Sequence, residues 1–209
     1  MNNSGNGNAV AIDIRGVHKS FREKRVLTGV DMQVYPAETL SIIGRSGCGK
    51  SVLLKHIIGL MKPDAGAIVV EGQDITQLPP KAVTNIRHKF GMVFQAAALF
   101  DSLTVGENVG FYLLEYTRLS RREVEEIVEA KLRMVGLENV SHLKPAELSG
   151  GMKKRVGIAR AIAHDPRFIL YDEPTAGLDP IMSDVINDLI IKLDEELDVT
   201  SIVVTHDMT

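Results

Sequence analysis

The run Gly44-Arg-Ser-Gly-Cys-Gly-Lys-Ser51 narrows what this chain can fold into more than any other feature. It fits G-x-x-x-x-G-K-[ST]. It lies between a short apolar run, Thr39-Leu-Ser-Ile-Ile43, and a segment from Lys50 to Leu60 in which Val52, Leu53, His56, Ile57 and Leu60 recur at helical spacing. Strand, glycine loop and helix, in that order, build a phosphate cradle. The glycines let backbone N–H groups turn inward on a concave surface, and the helix start adds positive partial charge, so a polyphosphate is held without bulky side chains. Gly44, Arg45, Ser46, Gly47, Cys48 and Gly49, with Val52 at the helix start, are the expected wrapping. Lys50 is expected to reach the β- and γ-phosphates and Ser51 to ligate Mg²⁺. Cys48 reads as a passive occupant of the loop, although a thiol beside a helix start can be acidified. A glycine turn ahead of an ordinary helix is the plainer alternative, and the agreement of motif and flanks speaks against it. The motif alone means only a nucleotide.

Charge bears on the class of partner. With 24 Lys and Arg against 27 Asp and Glu, the net charge is −3, which leaves no bulk positive field to hold a nucleic acid by counterion release. Any anion must be caught locally. A single cysteine permits no internal disulfide and no basic-then-apolar leader is seen, so a cytoplasmic setting is the expectation. The longest apolar stretch, Phe90 to Phe100, falls short of the roughly 18 to 20 residues that a bilayer crossing needs. If a membrane matters, another chain must cross it.

Residues 1–9 are mostly Asn, Gly and Ser and are expected to be a disordered end, with one domain over residues 10–209. Val10, Ile12 and Ile14 alternate with Ala11, Asp13 and Arg15, and Val30, Met32 and Val34 with Asp31, Gln33 and Tyr35; the pattern predicts antiparallel strands with one wet face. Ala67 to Val70 and Met92 to Phe94 are further short strands, separated by a polar piece containing Pro79-Pro80. Between Gln95 and Leu148 only helical periodicity is found, as in Val124, Ile127, Val128, Leu132 and Val135. That predicts an inserted helical subdomain over about residues 96–148. Helix and buried strand then alternate: Met152 to Ala163, Arg167 to Tyr171, Ile181 to Leu197 and Thr200 to Thr205. The two strands are nearly continuous apolar runs, as parallel strands covered on both faces should be.

Phe168-Ile-Leu-Tyr-Asp-Glu173 ends in two carboxylates at the strand edge where open parallel sheets place their ligand crevice. Asp172 suits Mg²⁺ held through water. Glu173 suits a general base, or a residue orienting the water that attacks a γ-phosphate. A solvated acidic turn is the plainer reading of the pair, and the cradle at residues 44–51 tips the balance towards chemistry.

Leu148-Ser-Gly-Gly-Met152 opens a basic helix carrying Lys153-Lys154-Arg155. Ser149 is a good helix cap, Gly150 and Gly151 permit close backbone approach, and the helix start is a second anion site. With these motifs in this order, the chain resembles the nucleotide-binding subunits of ABC transporters. The resemblance implies an α/β P-loop NTPase fold, with a RecA-like parallel-sheet core, an antiparallel β subdomain and an inserted α-helical subdomain. It implies ATP and Mg²⁺, and a head-to-tail homodimer in which Ser149, Gly150 and Gly151 of one subunit close on the γ-phosphate held by the other. Gln95 matches the Q-loop glutamine, implied to touch Mg²⁺ and the lytic water. Gly177-Leu-Asp179 matches the D-loop at the dimer seam, and His206 matches the switch histidine implied to contact the γ-phosphate. Phe21 stands where the family often stacks a tyrosine on adenine, which needs only a ring face; a buried core aromatic is the competing reading. Two features depart from the family pattern. Met152 replaces the usual glutamine, and the chain stops at Thr209, where family members continue, so a truncated C-terminus is expected.

The wording of Gly44 to Lys55, Val93 to Phe100 and Leu148 to Ala161 is similar to the ATPase subunits of Mla-type phospholipid transport systems and of related Mce-type lipid and toluene-tolerance systems. That resemblance implies ATP-driven dimerisation powering phospholipid transport between bacterial inner and outer membranes. The implied partners are two integral-membrane permease chains, a periplasmic lipid-binding Mce-type subunit and a small STAS-domain protein, with the ATPase peripheral on the cytoplasmic face of the inner membrane. The permease contact is expected around Ala96 to Val109. Two rivals remain. A soluble ABC-type ATPase usually carries a second cassette or a long coiled coil, and neither is seen. A nucleotide-gated assembly factor would have no use for a base at Glu173.

Overall fold

The computed structural model describes residues 10–206; the expected loose end at residues 1–9, and the question of how the chain runs on past Thr209, lie outside the described residues. Among the described residues the elements are β1 (Ile12–Phe21), β2 (Lys24–Val34), β3 (Thr39–Ile43), α1 (Lys50–Ile57), β4 (Ala65–Val70), β5 (Gln73–Asp74), α2 (Pro80–Arg87) and β6 (Phe90–Val93). There follow α3 (Val105–Tyr116), α4 (Arg121–Met134), α5 (Gly150–Ile162), β7 (Phe168–Asp172), α6 (Pro180–Leu197) and β8 (Thr200–Thr205).

The strands form two sheets. One is antiparallel in the order β2-β1-β4-β5, and the other is parallel in the order β3-β8-β7-β6. Ile12, Ile14, Val34, Ile68 and Val70 of the antiparallel sheet pack with Leu54 and Ile57 of α1 and with Phe168, Leu170, Ile202 and Val204 of the parallel sheet. A second core joins the other face of that sheet to α3, α4, α5 and α6 through Val109, Leu132, Ile158, Tyr171 and Ile186.

Local chemistry explains where the helices start. Thr104 and Ser120 accept from the backbone of Glu107 and Glu123, whose carboxylates accept from the cap N–H groups in return; both are reciprocal capping boxes. On α4 the buried residues include Val124, Val128 and Leu132, at the spacing expected of an amphipathic helix.

Three expectations need correction. The helix after the glycine loop ends at Ile57, because Gly59 turns left-handed at φ 70°, so Leu60 lies outside it and is exposed. The alternation starts the signature helix at Met152, whereas it begins at Gly150, as the Ser149 cap implies. Finally, β1 does not have one wet face: Asp13 is buried, with its carboxylate accepting from Arg15 Nε at 2.7 Å and Gln33 Nε2 at 3.4 Å. A strand flanked on both edges, as β1 is by β2 and β4, covers part of its outer face with neighbouring long side chains.

Candidate functional site

The cradle forms where β3 ends. Gly47 and Gly49 take φ of 76° and 107°, the left-handed region in which a Cβ is costly. At Gly49 a Cβ would also lie 3.0 Å from the Val26 carbonyl oxygen. Gly49 caps α1 without a side chain, so no cap group competes for the first amides of the helix. Lys50 is 7% exposed. Its ammonium donates to the carbonyls of Gly44 at 2.7 Å and Arg45 at 3.2 Å, and pairs with Glu173 Oε1 at 3.1 Å. Ser51 Oγ donates to Asp172 Oδ1 at 2.7 Å.

The sheet order makes these meetings possible. β7 lies next but one to β3, with β8 between them, so the end of β7 faces the first turn of α1. Glu173 leaves β7 at φ 51° while its N–H still donates to the Val204 carbonyl at 2.9 Å. The turn aims its side chain inward, and Glu173 is 7% exposed. His206, just past β8, places its N–H 3.2 Å and its Nδ1 2.5 Å from Glu173 Oε2. Burial pushes the Glu173 carboxyl up, but the bonds from His206 and Lys50 outweigh it and hold the group below its ordinary range. Glu173 is therefore a carboxylate at neutral pH.

These groups face an open cleft of ≈ 450 Å³ lined by Phe21, Lys24, Val26, Ser46, Gly47, Gly49, Lys50, Ser51, Val52, Gln95, Glu173 and His206. Phe21 is 42% exposed, which removes the core-aromatic reading, and the Lys19 ammonium sits 5.7 Å from its ring centroid. Gln95 is exposed in the turn after β6. Arg45 and Cys48 are exposed on the loop and Gly44 is half-buried; none of the three lines the cleft. Ser51 and Asp172 offer two hard oxygen donors side by side, a set that fits Mg²⁺ completed by phosphate oxygens and water.

The second group stands apart. Ser149, Gly150, Gly151 and Asp179 do not line this cleft. Ser149 Oγ caps α5 by accepting from Met152 N at 3.3 Å, and Asp179 caps α6 by accepting from Met182 N at 3.0 Å. The two helix starts adjoin, since a Cβ on Gly151 would come within 2.6 Å of Met182 Cε.

One residue escaped the sequence reading. Lys154 looks like part of a solvated basic run but is 6% exposed. It donates to the carbonyls of Gln95 at 2.5 Å and Glu173 at 3.4 Å. The available signal was its spacing from Gly157 and Ala161, which puts it on the packed side of α5.

A strand, glycine loop and helix start, facing a buried carboxylate at the end of a parallel strand, define a nucleotide-binding cassette. The family model described as ABC transporter matches residues 27–176, and the chain belongs to that family. It is 41% identical over 199 residues to the probable ribonucleotide transport ATP-binding protein mkl of Mycobacterium leprae, an alignment covering 95% of this chain and 57% of that protein. The chain thus spans little more than half the length of that relative. It is 41% identical over 197 residues to the intermembrane phospholipid transport system ATP-binding protein MlaF of Haemophilus influenzae, covering 94% of this chain and 75% of that one. Among solved structures it resembles the ATP-binding cassette MJ0796, dimeric in a post-hydrolysis state bound to ADP and Pi. The TM-score there is 0.86 and the identity 37%, over 94% of this chain and 88% of the other.

Proposed function

We propose that the chain is the ATP-hydrolysing cassette of a transporter that moves phospholipid between bacterial membranes. The observation that carries the ATPase reading is the buried pairing of Lys50 and Glu173 beside Ser51 and Asp172, at the mouth of one cleft. Lys50 exchanges its carbonyl and carboxylate partners for the β- and γ-phosphates when ATP enters. Glu173, held ionised, takes the proton of the water attacking the γ-phosphorus, while the bond to the bridging oxygen breaks and ADP leaves. His206 fixes the carboxylate's orientation through Oε2. Bound Mg²⁺, held by Ser51 and through water by Asp172, would neutralise phosphate charge.

Ser149, Gly150, Gly151 and Asp179 act across a head-to-tail pair, each helix start closing on the partner's triphosphate. Their placement away from the chain's own cleft, and the dimeric state named for the MJ0796 cassette, support this. Among the described residues no helix is long and apolar enough to cross a membrane, and in this reading integral-membrane permease chains carry the lipid path. Exposed Phe100 and Phe111, their tilted rings 5.1 Å apart, and exposed Leu114 offer a permease an apolar face on the cytoplasmic side of the inner membrane. A periplasmic Mce-type subunit and a STAS-domain protein complete the assembly. The lipid reading is supported by the MlaF likeness, which spans three quarters of that protein, and by the motif wording. The mkl relative's name favours a second cargo, a ribonucleotide.

The test is to purify the full-length protein from membranes, identify its partner chains and bound cargo, and measure ATP turnover with Mg²⁺. Phospholipid with permease chains is the expected result. A bound ribonucleotide overturns the lipid reading. ATP binding without turnover, in wild type and in Glu173→Gln alike, overturns the enzyme.

A further inference from the structure

The turn carrying Gln95 is held in a costly form. Ala97 and Ala98 take φ of 58° and 47°, consecutive left-handed residues without the relief of a glycine. Its carbonyls are captured by α5: Lys154 Nζ lies 2.5 Å from the Gln95 oxygen, and Arg160 reaches the Ala97 and Ala98 oxygens at 2.7 and 2.6 Å. Between these cations Gly157 faces the turn, and a Cβ there would meet that of Ala97 at 3.4 Å, an ordinary van der Waals contact. Lys154 does more than pin the turn, because its ammonium also faces the Glu173 carbonyl at 3.4 Å. The helix that opens with Ser149 is thereby joined to both segments, at Gln95 and at Glu173, that line the cleft.

Resting on the reading of Glu173 as the base, we propose that Lys154 is a positioning residue. It holds the backbones of Glu173 and Gln95 in register with the signature helix, so that movement of α5 in a closing pair reaches the base and the Gln95 turn together. An ammonium suits this role because it brings three donors and no acceptor to carbonyls that the left-handed turn has directed at the helix. Burial disfavours its charge, and the Glu173 carboxylate partly restores it. Arg160 fixes the far end of the same turn.

The test uses the full-length protein with Lys154→Met, which keeps the length and removes the donors, and Lys154→Arg, which keeps them. In Lys154→Met we expect ATP affinity and KM within about threefold of wild type and a kcat lower by about tenfold or more, the pattern of a misplaced catalytic group. Lys154→Arg should recover most of the loss. Hydrogen exchange supplies a readout independent of turnover: the Ala97 amide, which donates to the Phe94 carbonyl at 2.9 Å inside the turn, should lose about tenfold or more of its protection in Lys154→Met and keep it in Lys154→Arg. A wild-type kcat in Lys154→Met overturns the proposal. So does unchanged protection of the turn, or equal loss of kcat and melting temperature in both variants. If Glu173→Gln retains turnover, the base assignment fails, while the exchange contrast still judges the anchor.

Discussion

The chain contains two glycine-rich helix starts, and only one of them is a furnished site. At α1 the cap residue Gly49 has no side chain, while Lys50 and Ser51 stand in contact with Glu173 and Asp172. At α5 the cap is Ser149, whose hydroxyl takes Met152 N, and the Cβ directions of Gly150 and Gly151 point at the apolar side chains of Leu178 and Met182. Both ends carry the same helix dipole, worth only about 0.3 to 1 kcal/mol for an exposed charge. What separates them is the charge and base that β7 and β8 deliver to one and not to the other. A helix start provides donors, and the sheet provides chemistry. The α5 start keeps the Ser149 hydroxyl proton as a donor, and in the proposed head-to-tail pair that donor serves a phosphate presented by the other chain.

The variants that test this contrast rank by how much of the furnished site they remove. Lys50→Ala strips the ammonium from the cradle, and kcat/KM for ATP should fall by about 10³-fold or more, with nucleotide binding lost in a fluorescent-ATP titration. Glu173→Gln keeps the shape and removes the base. Steady-state turnover should drop about 10²- to 10³-fold while ATP stays bound and the pair stays closed, seen as an ATP-dependent dimer on size exclusion. Ser149→Ala acts on the unfurnished start: it should cost about 1 kcal/mol of helix stability and about tenfold in turnover, with single-chain ATP affinity unchanged. Equal loss of binding in Ser149→Ala and Lys50→Ala would erase the distinction between the two starts.

The smallest effect is on pH dependence. Glu173 has a folded pKa below its ordinary value of 4.5, so the stability it lends is complete above that value and drains away as the pH falls through the lower folded one. His206→Ala removes the main stabilising partner and should flatten that acid limb in thermal melts. An unchanged limb would mean that the Glu173–His206 pairing contributes nothing to stability.

Much of this contrast is legible in the sequence because its parts are local. Glycines at 44, 47 and 49 before Lys50, a strand ending in Asp172-Glu173, and Ser149 ahead of two glycines each carry their chemistry within a few residues. The parallel core and antiparallel flank follow from continuous and alternating apolar runs, and the fold has both. What escaped depends on distant pairing. Nothing in Gln95-Ala-Ala-Ala98 announces a left-handed turn, whose carbonyls are taken up by Lys154 and Arg160 from far along the sequence. Asp13 is buried with its carboxylate accepting from Gln33 on the neighbouring strand β2 as well as from Arg15, and the first of these contacts needs the β1–β2 register. The Glu173–His206 contact likewise needs β7 and β8 to be neighbours, a fact of sheet order that spacing alone does not fix.

The central claim is that the α5 start of one chain completes the cradle of another, and the chain's single cysteine makes it directly measurable. Cys48 is exposed on the cradle loop, and a disulfide forms only when two Cα atoms come within about 4.4 to 6.8 Å. In the full-length protein carrying Ser149→Cys and Glu173→Gln, mild oxidation with Mg²⁺ and ATP should give a covalent dimer on a non-reducing gel. That dimer should be absent without nucleotide and absent when Cys48→Ser is added. A protein that binds ATP yet gives no covalent dimer, or one whose cross-link ignores Cys48, would contradict the account.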